Sequence, residues 1–488
     1  MKKTVLLIQP GHSTLRPRIP VNYLSIAAEM MNNGFKVIIA DLRVFPWEQA
    51  MNDVDWNDVV LVGLGCYTGP MIYQTIDVAK KIRAINPSIP IVWGGIHPTI
   101  EPESTAKHEL VDVCVKGDGE ETITELAKCF QNNEPIDNVL GIYFKKNGTV
   151  VHTADRPVYD LNKIGILPYD LVDTKNYDIK EFSMNMTRGC PYKCVFCYNL
   201  AFDNQRFRGK DPMGVVDEIE YVMKRWNPEM IMFVEDNTFT NKKRMEDICR
   251  EIIKRELKIT WMSSTRADYI ARHTDEYMQL LKDSGCVMLT FGAESGSQRM
   301  LDEMQKHLKV EDTIKAVEKM AKFDIKGRIS FIYGLPSETK KETLMTVNLI
   351  KKLKQIHPKL IVNGMFIATM YPNTPLAEMA KQADPNFAFP QTLEGWADWQ
   401  HYQSGFQPWM DKAYAKEMET ASHIIRFQCL KEMDYNAYLK NVPIRLAARL
   451  GNGLFNIPAS IRWKTNYYKF GYEMKLWNKL VFAFLGNI

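Results

Sequence analysis
The sequence lacks any apolar run long enough to cross a bilayer, and it has neither internal repeats nor a low-complexity segment. Its net charge is only +4, too small to argue for a nucleic-acid partner. It also lacks a disulfide framework. Cysteine occurs nine times, an odd count, and Cys66, Cys114, Cys129, Cys249, Cys286 and Cys429 are scattered. That usage points to a reducing compartment. The opening "MKKTVLLIQP" imitates a secretion signal, but its apolar run stops at Gln9-Pro10 and no cleavage site follows. The expected location is the cytoplasm.

What is present is ordinary globular material: 488 residues, 45% hydrophobic and 25% charged, enough for two or three domains. Residues 1–135 alternate strand and helix. "TVLLIQ", "KVIIAD", "DVVLVGLG", "PIVWGG" and "VDVCVKG" read as buried strands. "NYLSIAAEMMNNG", "MIYQTIDVAKKIRAI" and "EETITELAKCF" read as helices. The alternation predicts a doubly wound parallel sheet, which binds ligands at the carboxyl ends of its strands. Those ends carry Gly63-Leu64-Gly65, Gly94-Gly95 and Gly117-Asp118-Gly119. Any one of these could be a plain tight turn; three on one rim favour a ligand that backbone must approach closely.

Residues 136–182 read as a hairpin around Asn147-Gly148 and then a linker through "ILPYDLVD". From Ser183 a second alternation begins. "SMNMTR", "MIMFVED", "KITWMSS", "VMLTFGAE", "GRISFIYG" and "LIVNGMFIATMY" are six strand candidates separated by helical stretches, predicting a partial (β/α) barrel over 183–400. Residues 401–488 read as a helical extension.

"TRGCPYKCVFCYN" directly follows the first barrel strand, on the face where barrels keep their chemistry. It holds Cys190, Cys194 and Cys197, with no fourth cysteine or histidine nearby. Three readings compete. A helix would put all three on one buried face, but Gly189 and Pro191 favour a loop. Structural zinc takes four ligands, commonly in paired knuckles, and no second pair exists. A four-iron cluster has four corners, and three cysteines leave one iron open for a ligand.

Together with "FVEDNTFT", "SSTRADYI", "FGAESGSQRML" and "IYGLPSETKKET", in that order, the cysteine stretch resembles the radical S-adenosylmethionine (SAM) enzymes. "WGGIHPTIEPE" and "VKGDGEET" resemble the branch with an N-terminal cobalamin-binding domain, which includes the anaerobic magnesium-protoporphyrin monomethyl ester cyclase and cobalamin-dependent methyltransferases. The resemblance covers roughly residues 1–400. It implies a 4Fe-4S cluster on Cys190, Cys194 and Cys197, whose open iron chelates SAM. One-electron cleavage of SAM then gives a 5′-deoxyadenosyl radical that takes hydrogen from substrate carbon. A donor such as flavodoxin or ferredoxin supplies the electron. Phe196 is expected near the adenine, Glu235 and Asp236 near the methionine amine, Ser264 and Arg266 near ribose and carboxylate, and Glu294, flanked by Gly292 and Gly296, against the bound SAM. Asp236 or Asn237 could instead cap a helix. The cobalamin is expected against Gly65, Thr68, Gly94, Gly95, His97, Gly117, Gly119 and Glu120.

One departure concerns cobalt. The Asp-x-His-x-x-Gly motif that supplies a histidine ligand in many cobalamin domains is missing. His12, in "QPGHSTLRP", lacks its Asp and Gly, and His97 matches a nucleotide-tail segment instead. A lower cobalt face without histidine is expected, and a domain that kept its shape but lost the cofactor is the alternative.

The tail adds a hint about substrate. Residues 441–488 contain seven Lys or Arg, one acid (Glu473) and nine aromatics. Trp463, Tyr467, Phe470, Met474, Trp477, Val481 and Phe484 repeat in steps of four and three, flanked by Lys464, Lys469, Lys475 and Lys479. One helix carrying that stripe would either pack on the barrel or lie on an anionic membrane surface. Three functions follow: C-methylation of an unactivated carbon on a hydrophobic small molecule, ring or C–C bond formation on a tetrapyrrole or lipid, and non-catalytic iron–sulfur or corrinoid binding.

Overall fold
The computed structural model describes residues 3–11, 17–202, 205–399, 407–430 and 455–485, without the side chains of 429, 430, 478 and 480–485. The first sheet is built from β1 (Thr4–Gln9), β2 (Lys36–Asp41), β3 (Val59–Gly65), β4 (Ile91–Gly94), β5 (Val113–Val115), β6 (Ile142–Lys146) and β7 (Thr149–His152). Its order is β2-β1-β3-β4-β5-β6-β7. The first five strands are parallel and β6 and β7 antiparallel. The hairpin that sequence grouped with the linker is therefore the edge of this sheet. Its Phe144 and Ile142 alternate inward onto the same core as Val113 and Val115, which is what draws it there.

The second sheet holds β8 (Glu181–Met184), β11 (Met230–Phe233), β12 (Trp261–Ser264), β13 (Cys286–Glu294), β14 (Lys326–Tyr333) and β15 (Ile361–Ile367), in the order β15-β14-β13-β12-β11-β8. All its pairings are parallel. Between β8 and β11 a short ribbon, β9 (Thr187–Arg188) with β10 (Arg208–Gly209), frames the cysteine loop. The α/β fold class is as expected: a doubly wound sheet, a six-stranded parallel barrel sheet and a helical C-terminus.

The helix Val21–Asn32 joins the two sheets. Val21, Leu24 and Ala28 enter the barrel's core, while Tyr23, Ala27 and Met30 enter the first sheet's. Burying a Leu-sized side chain contributes roughly 1.5–3 kcal/mol, so one helix with two apolar faces holds the strand ends of both sheets toward each other.

The tail departs from its expected form. A helix over 455–465 and the helix Tyr472–Leu485 are separated by a break, with Asn466 and Phe470 in left-handed backbone. Gly471, just after that break, sits close against a neighbour: a Cβ there would lie 2.2 Å from Thr420 of the helix Lys412–Leu430. Met474 and Trp477 pack inward, Trp477 edge-on to Phe427 at 5.0 Å. Tyr467 and Phe470 are exposed. The side chains of Val481 and Phe484 lie outside the described residues. The single stripe is thus two helices with different partners.

Candidate functional site
The cysteine loop is pinned on several sides. The Val195 N–H donates to the Met304 carbonyl at 3.0 Å, and the Val195 carbonyl accepts from Leu376 N–H at 3.1 Å. The Tyr192 hydroxyl donates to the Tyr269 hydroxyl at 2.9 Å, and the Arg266 guanidinium lies 3.6 Å from the Tyr192 ring centroid. Cys194 is buried and Cys190 and Cys197 are half-buried. Burial pushes the Cys197 thiol up to about 12 and raises that of Cys190. Metal binding there must displace protons. Among the described residues no three His, Cys, Asp or Glu are placed to hold a single metal ion. Three thiolates on a four-iron cluster would leave one iron open for a ligand.

The barrel residues divide into two kinds. Glu235 is saturated: it accepts from the N–H groups of Met186 and Thr187 and the hydroxyls of Thr187 and Thr238. Burial nonetheless raises its pKa. Asp236 is exposed and accepts from Gly189 N–H at 3.3 Å and from the Tyr198 hydroxyl at 3.1 Å. Asn237 precedes one turn of 3-10 helix without capping it by its side chain, and donates instead toward Cys190 Sγ at 3.8 Å. Ser264 is half-buried at the end of β12. Arg266 is buried and spends its donors on Asp268, at 2.9 Å, and the Lys306 carbonyl, at 2.6 Å. Glu294 ends β13 in left-handed backbone, paired with Lys306 at 2.7 Å. The Lys306 ammonium lies 5.7 Å from the Phe196 ring.

A cavity of about 420 Å³ opens between the carboxyl ends of the first sheet and the cysteine-loop side of the barrel. Gly65, Gly94, Gly95, Gly117, Gly119 and Glu120 line one wall; Thr187, Tyr198, Glu235 and Asp236 line the other. Thr68 and His97 are not on the wall. His97 is fully buried, its Nδ1 3.1 Å from Thr68 Oγ1 and its ring edge-on to Trp396 at 5.5 Å. His12 lies outside the described residues. Gly117 has φ +86°, and a Cβ there would meet no atom within 4 Å. It would project into open space, whereas at Gly65 and Gly95 a Cβ would lie 2.2 Å from the Tyr23 hydroxyl and 2.9 Å from the Cys66 carbonyl oxygen, so packing within the protein keeps those two as glycine. Sequence reasoning missed Arg188 and Lys306, and named Asp118 only as part of the glycine rim. Arg188 carried the one available signal, standing two residues before Cys190.

A family model described as the B12 binding domain matches residues 17–127, and one described as the radical SAM superfamily matches residues 184–350. An uncharacterized methyltransferase of Pyrococcus horikoshii is 34% identical over 389 residues, 78% of this chain and 83% of that one. The chain belongs to the cobalamin-binding radical SAM family. The anaerobic magnesium-protoporphyrin IX monomethyl ester cyclase of Rubrivivax gelatinosus is 31% identical over 57% of this chain and 52% of its own length. In fold, this radical SAM enzyme is similar to TsrM, a methyltransferase from Kitasatospora setae solved with cobalamin and a 4Fe-4S cluster. The TM-score is 0.70 at 16% identity, over 99% of this chain and all of that one. OxsB, solved with aqua-cobalamin, gives 0.73 at 18% identity, over 99% and 75%. As a radical SAM enzyme with a B12 domain, the protein uses a 4Fe-4S cluster, SAM and cobalamin.

Proposed function
We propose that the enzyme methylates an unactivated carbon of a hydrophobic small molecule. One observation carries this reading: the glycine rim of the first sheet and the strand ends beside the cysteine loop face a single cavity. A methyl donor and a radical source can then meet over one substrate. When bound, SAM at the cluster supplies the 5′-deoxyadenosyl radical and cobalamin supplies the methyl group.

The chain's own residues do the positioning. Cys190, Cys194 and Cys197 hold the cluster. Asp236, with carboxylate exposed to the cavity, receives the methionine ammonium. Glu235 holds β9 in place beside it, and Arg266 stiffens the cysteine loop through Tyr192. Ser264 and Glu294 face the nucleoside, and Phe196 packs against it. The methyltransferase name of the Pyrococcus relative supports methyl transfer, and the cyclase relative supports ring closure as the second reading.

The test uses methyl-deuterated SAM and reductant with the reconstituted enzyme. Label recovered on cobalamin without any substrate, and on a product after addition of a metabolite extract, is expected. Products that lose hydrogen and carry no label would establish the ring-closing reading instead. Cys194→Ala is the control, and should release no 5′-deoxyadenosine.

We also propose that the tail rests on an anionic membrane surface. No described helix is long and apolar enough to cross a membrane. Ile457, Ile461, Phe470, Tyr472 and Leu476 are nevertheless exposed beside Lys464, Lys469 and Lys479. That surface would deliver a hydrophobic substrate near the barrel.

A further inference from the structure
The run 186–189 is held from two directions. Toward the barrel, Glu235 takes the N–H groups of Met186 and Thr187, and Asp236 takes that of Gly189. Toward the first sheet goes Arg188. Its Nη1 donates to Asp118 Oδ1 at 2.9 Å, and its Nη2 to Glu120 Oε1 at 2.6 Å and to Ser25 Oγ at 2.8 Å. Arg208, paired with Arg188 across the ribbon, donates to both oxygens of Asp118 at 3.2 and 3.1 Å. The side chains of Asp118 and Glu120 are only 7% and 2% exposed, so these are not surface ion pairs. Two guanidinium groups and two carboxylates make a network without net charge, and each carboxylate keeps a hydrogen-bonded cation. This is the condition under which buried charge is tolerated. Glu120 also stands in the first turn of the helix Glu120–Asn132, where the helix dipole favours an anion.

The location gives the network its significance. Asp118 and Glu120 flank Gly119 at the edge of the cavity, where Arg188, two residues before Cys190, meets them and joins the lining. We propose that Arg188 is a positioning residue that sets the separation of the iron–sulfur cluster from cobalamin, by bolting the cysteine loop to the corrin-bearing rim. Asp118 and Glu120 are its anchors, and Glu120 serves there instead of touching the corrin. The geometry of methyl or hydrogen transfer across the cavity then depends on a side chain that touches neither reacting atom.

A role confined to stability would lower the melting temperature and leave the cofactor geometry of folded protein unchanged. The deciding measurement is therefore a distance. Reduced cluster and cob(II)alamin are both paramagnetic, so pulsed EPR reads their separation in the reconstituted enzyme. Arg188→Gln is expected to retain iron and cobalamin while broadening or shifting that distance distribution. Losing charged hydrogen bonds at the cavity edge should also weaken hydroxocobalamin binding by about tenfold, read by optical titration. Arg188→Lys, which can reach one anchor but not both, should fall between. Asp118→Asn preserves side-chain size, removes the charge that Arg188 and Arg208 share, and tests the same link should Arg188→Gln not fold. A wild-type distance distribution in either folded variant overturns the proposal.

Discussion

Lys306 and Glu294 form a buried ion pair, Nζ to Oε1 at 2.7 Å, at the mouth of the barrel beside Phe196. Their side chains are 11% and 7% exposed. Removing one partner strands the other charge in a poorly solvated site. Lys306→Met should cost about 3–5 kcal/mol in urea unfolding, and adding Glu294→Gln should restore part of it. Burial opposes the lysine's charge, but Glu294 and Cys194 outweigh it and raise its pKa above 10.5. A raised folded pKa means the pair's contribution is complete below the unfolded value and lost only as pH climbs through the folded one. The native pair's contribution should therefore be unchanged between about pH 7 and pH 9, both below the lysine range, while the penalty for Lys306→Met should be no smaller at the higher pH, where the stranded Glu294 is less able to take a proton.

The segment "GLPSETKKET" has a pH signature of the opposite sign. Arg299 grips Glu342 with two bonds of 2.6 Å, and Thr339 closes a capping box on the same carboxylate. The Arg299 bonds lead in holding Glu342 down to about 2. A depressed carboxylate contributes stability above its ordinary value of 4.5, and that contribution drains away as pH falls toward 2. Melting temperatures measured from pH 5 down to pH 3 should therefore fall more steeply in the native protein than in Glu342→Gln. Parallel curves would show that the pair does not couple to folding.

Much of this architecture was readable from period and punctuation. Apolar runs such as "TVLLIQ" and "DVVLVGLG" are the parallel strands, and the helix read in "MIYQTIDVAKKIRAI" spans Met71–Ile85 as written. The glycine rim was legible because strand ends in such sheets share one edge. Glu235 and Asp236 show where reading stopped. They lie past the end of β11, outside the alternation of a strand; one grips β9 and the other faces the cysteine loop, and sequence alone does not say which. Arg188 meets Glu120 across a separation of 68 residues, which no local pattern records. Lys306 sits in the polar run "DEMQKHLK", which reads as solvated surface yet delivers a buried cation. The tail stripe failed because helical periodicity does not register the left-handed backbone at Asn466 and Phe470 that interrupts it.

Cobalt should carry no protein imidazole. His97 is sealed between Thr68 and Trp396 and does not line the cavity. Enzyme grown with 15N-histidine should give the same cob(II)alamin EPR spectrum as unlabelled enzyme. A change in nitrogen splitting would identify a histidine ligand. Loss of that splitting in His12→Ala would assign it to His12.

The tail proposal calls for variants chosen by the two-helix form. Trp477 is 3% exposed and packs on Phe427, so Trp477→Asp should unfold the extension and say nothing about membranes. Phe470 and Tyr472, at 70% and 74% exposure, can be changed without opening the core. Each lysine near an anionic bilayer contributes on the order of 1 kcal/mol, screened by salt, and the apolar groups add to this as they enter the interface. Native enzyme should therefore sediment with vesicles containing phosphatidylserine at low ionic strength and leave them as salt is raised. Phe470→Ser with Tyr472→Ser should bind more weakly at every salt concentration while melting within a degree or two of native, because exposed positions away from packed features cost about 0.5 kcal/mol or less. Native protein that stays in the supernatant at low salt would end the membrane proposal. A concentration-dependent dimer abolished by the same double substitution would instead assign these residues to contact between two copies of the chain.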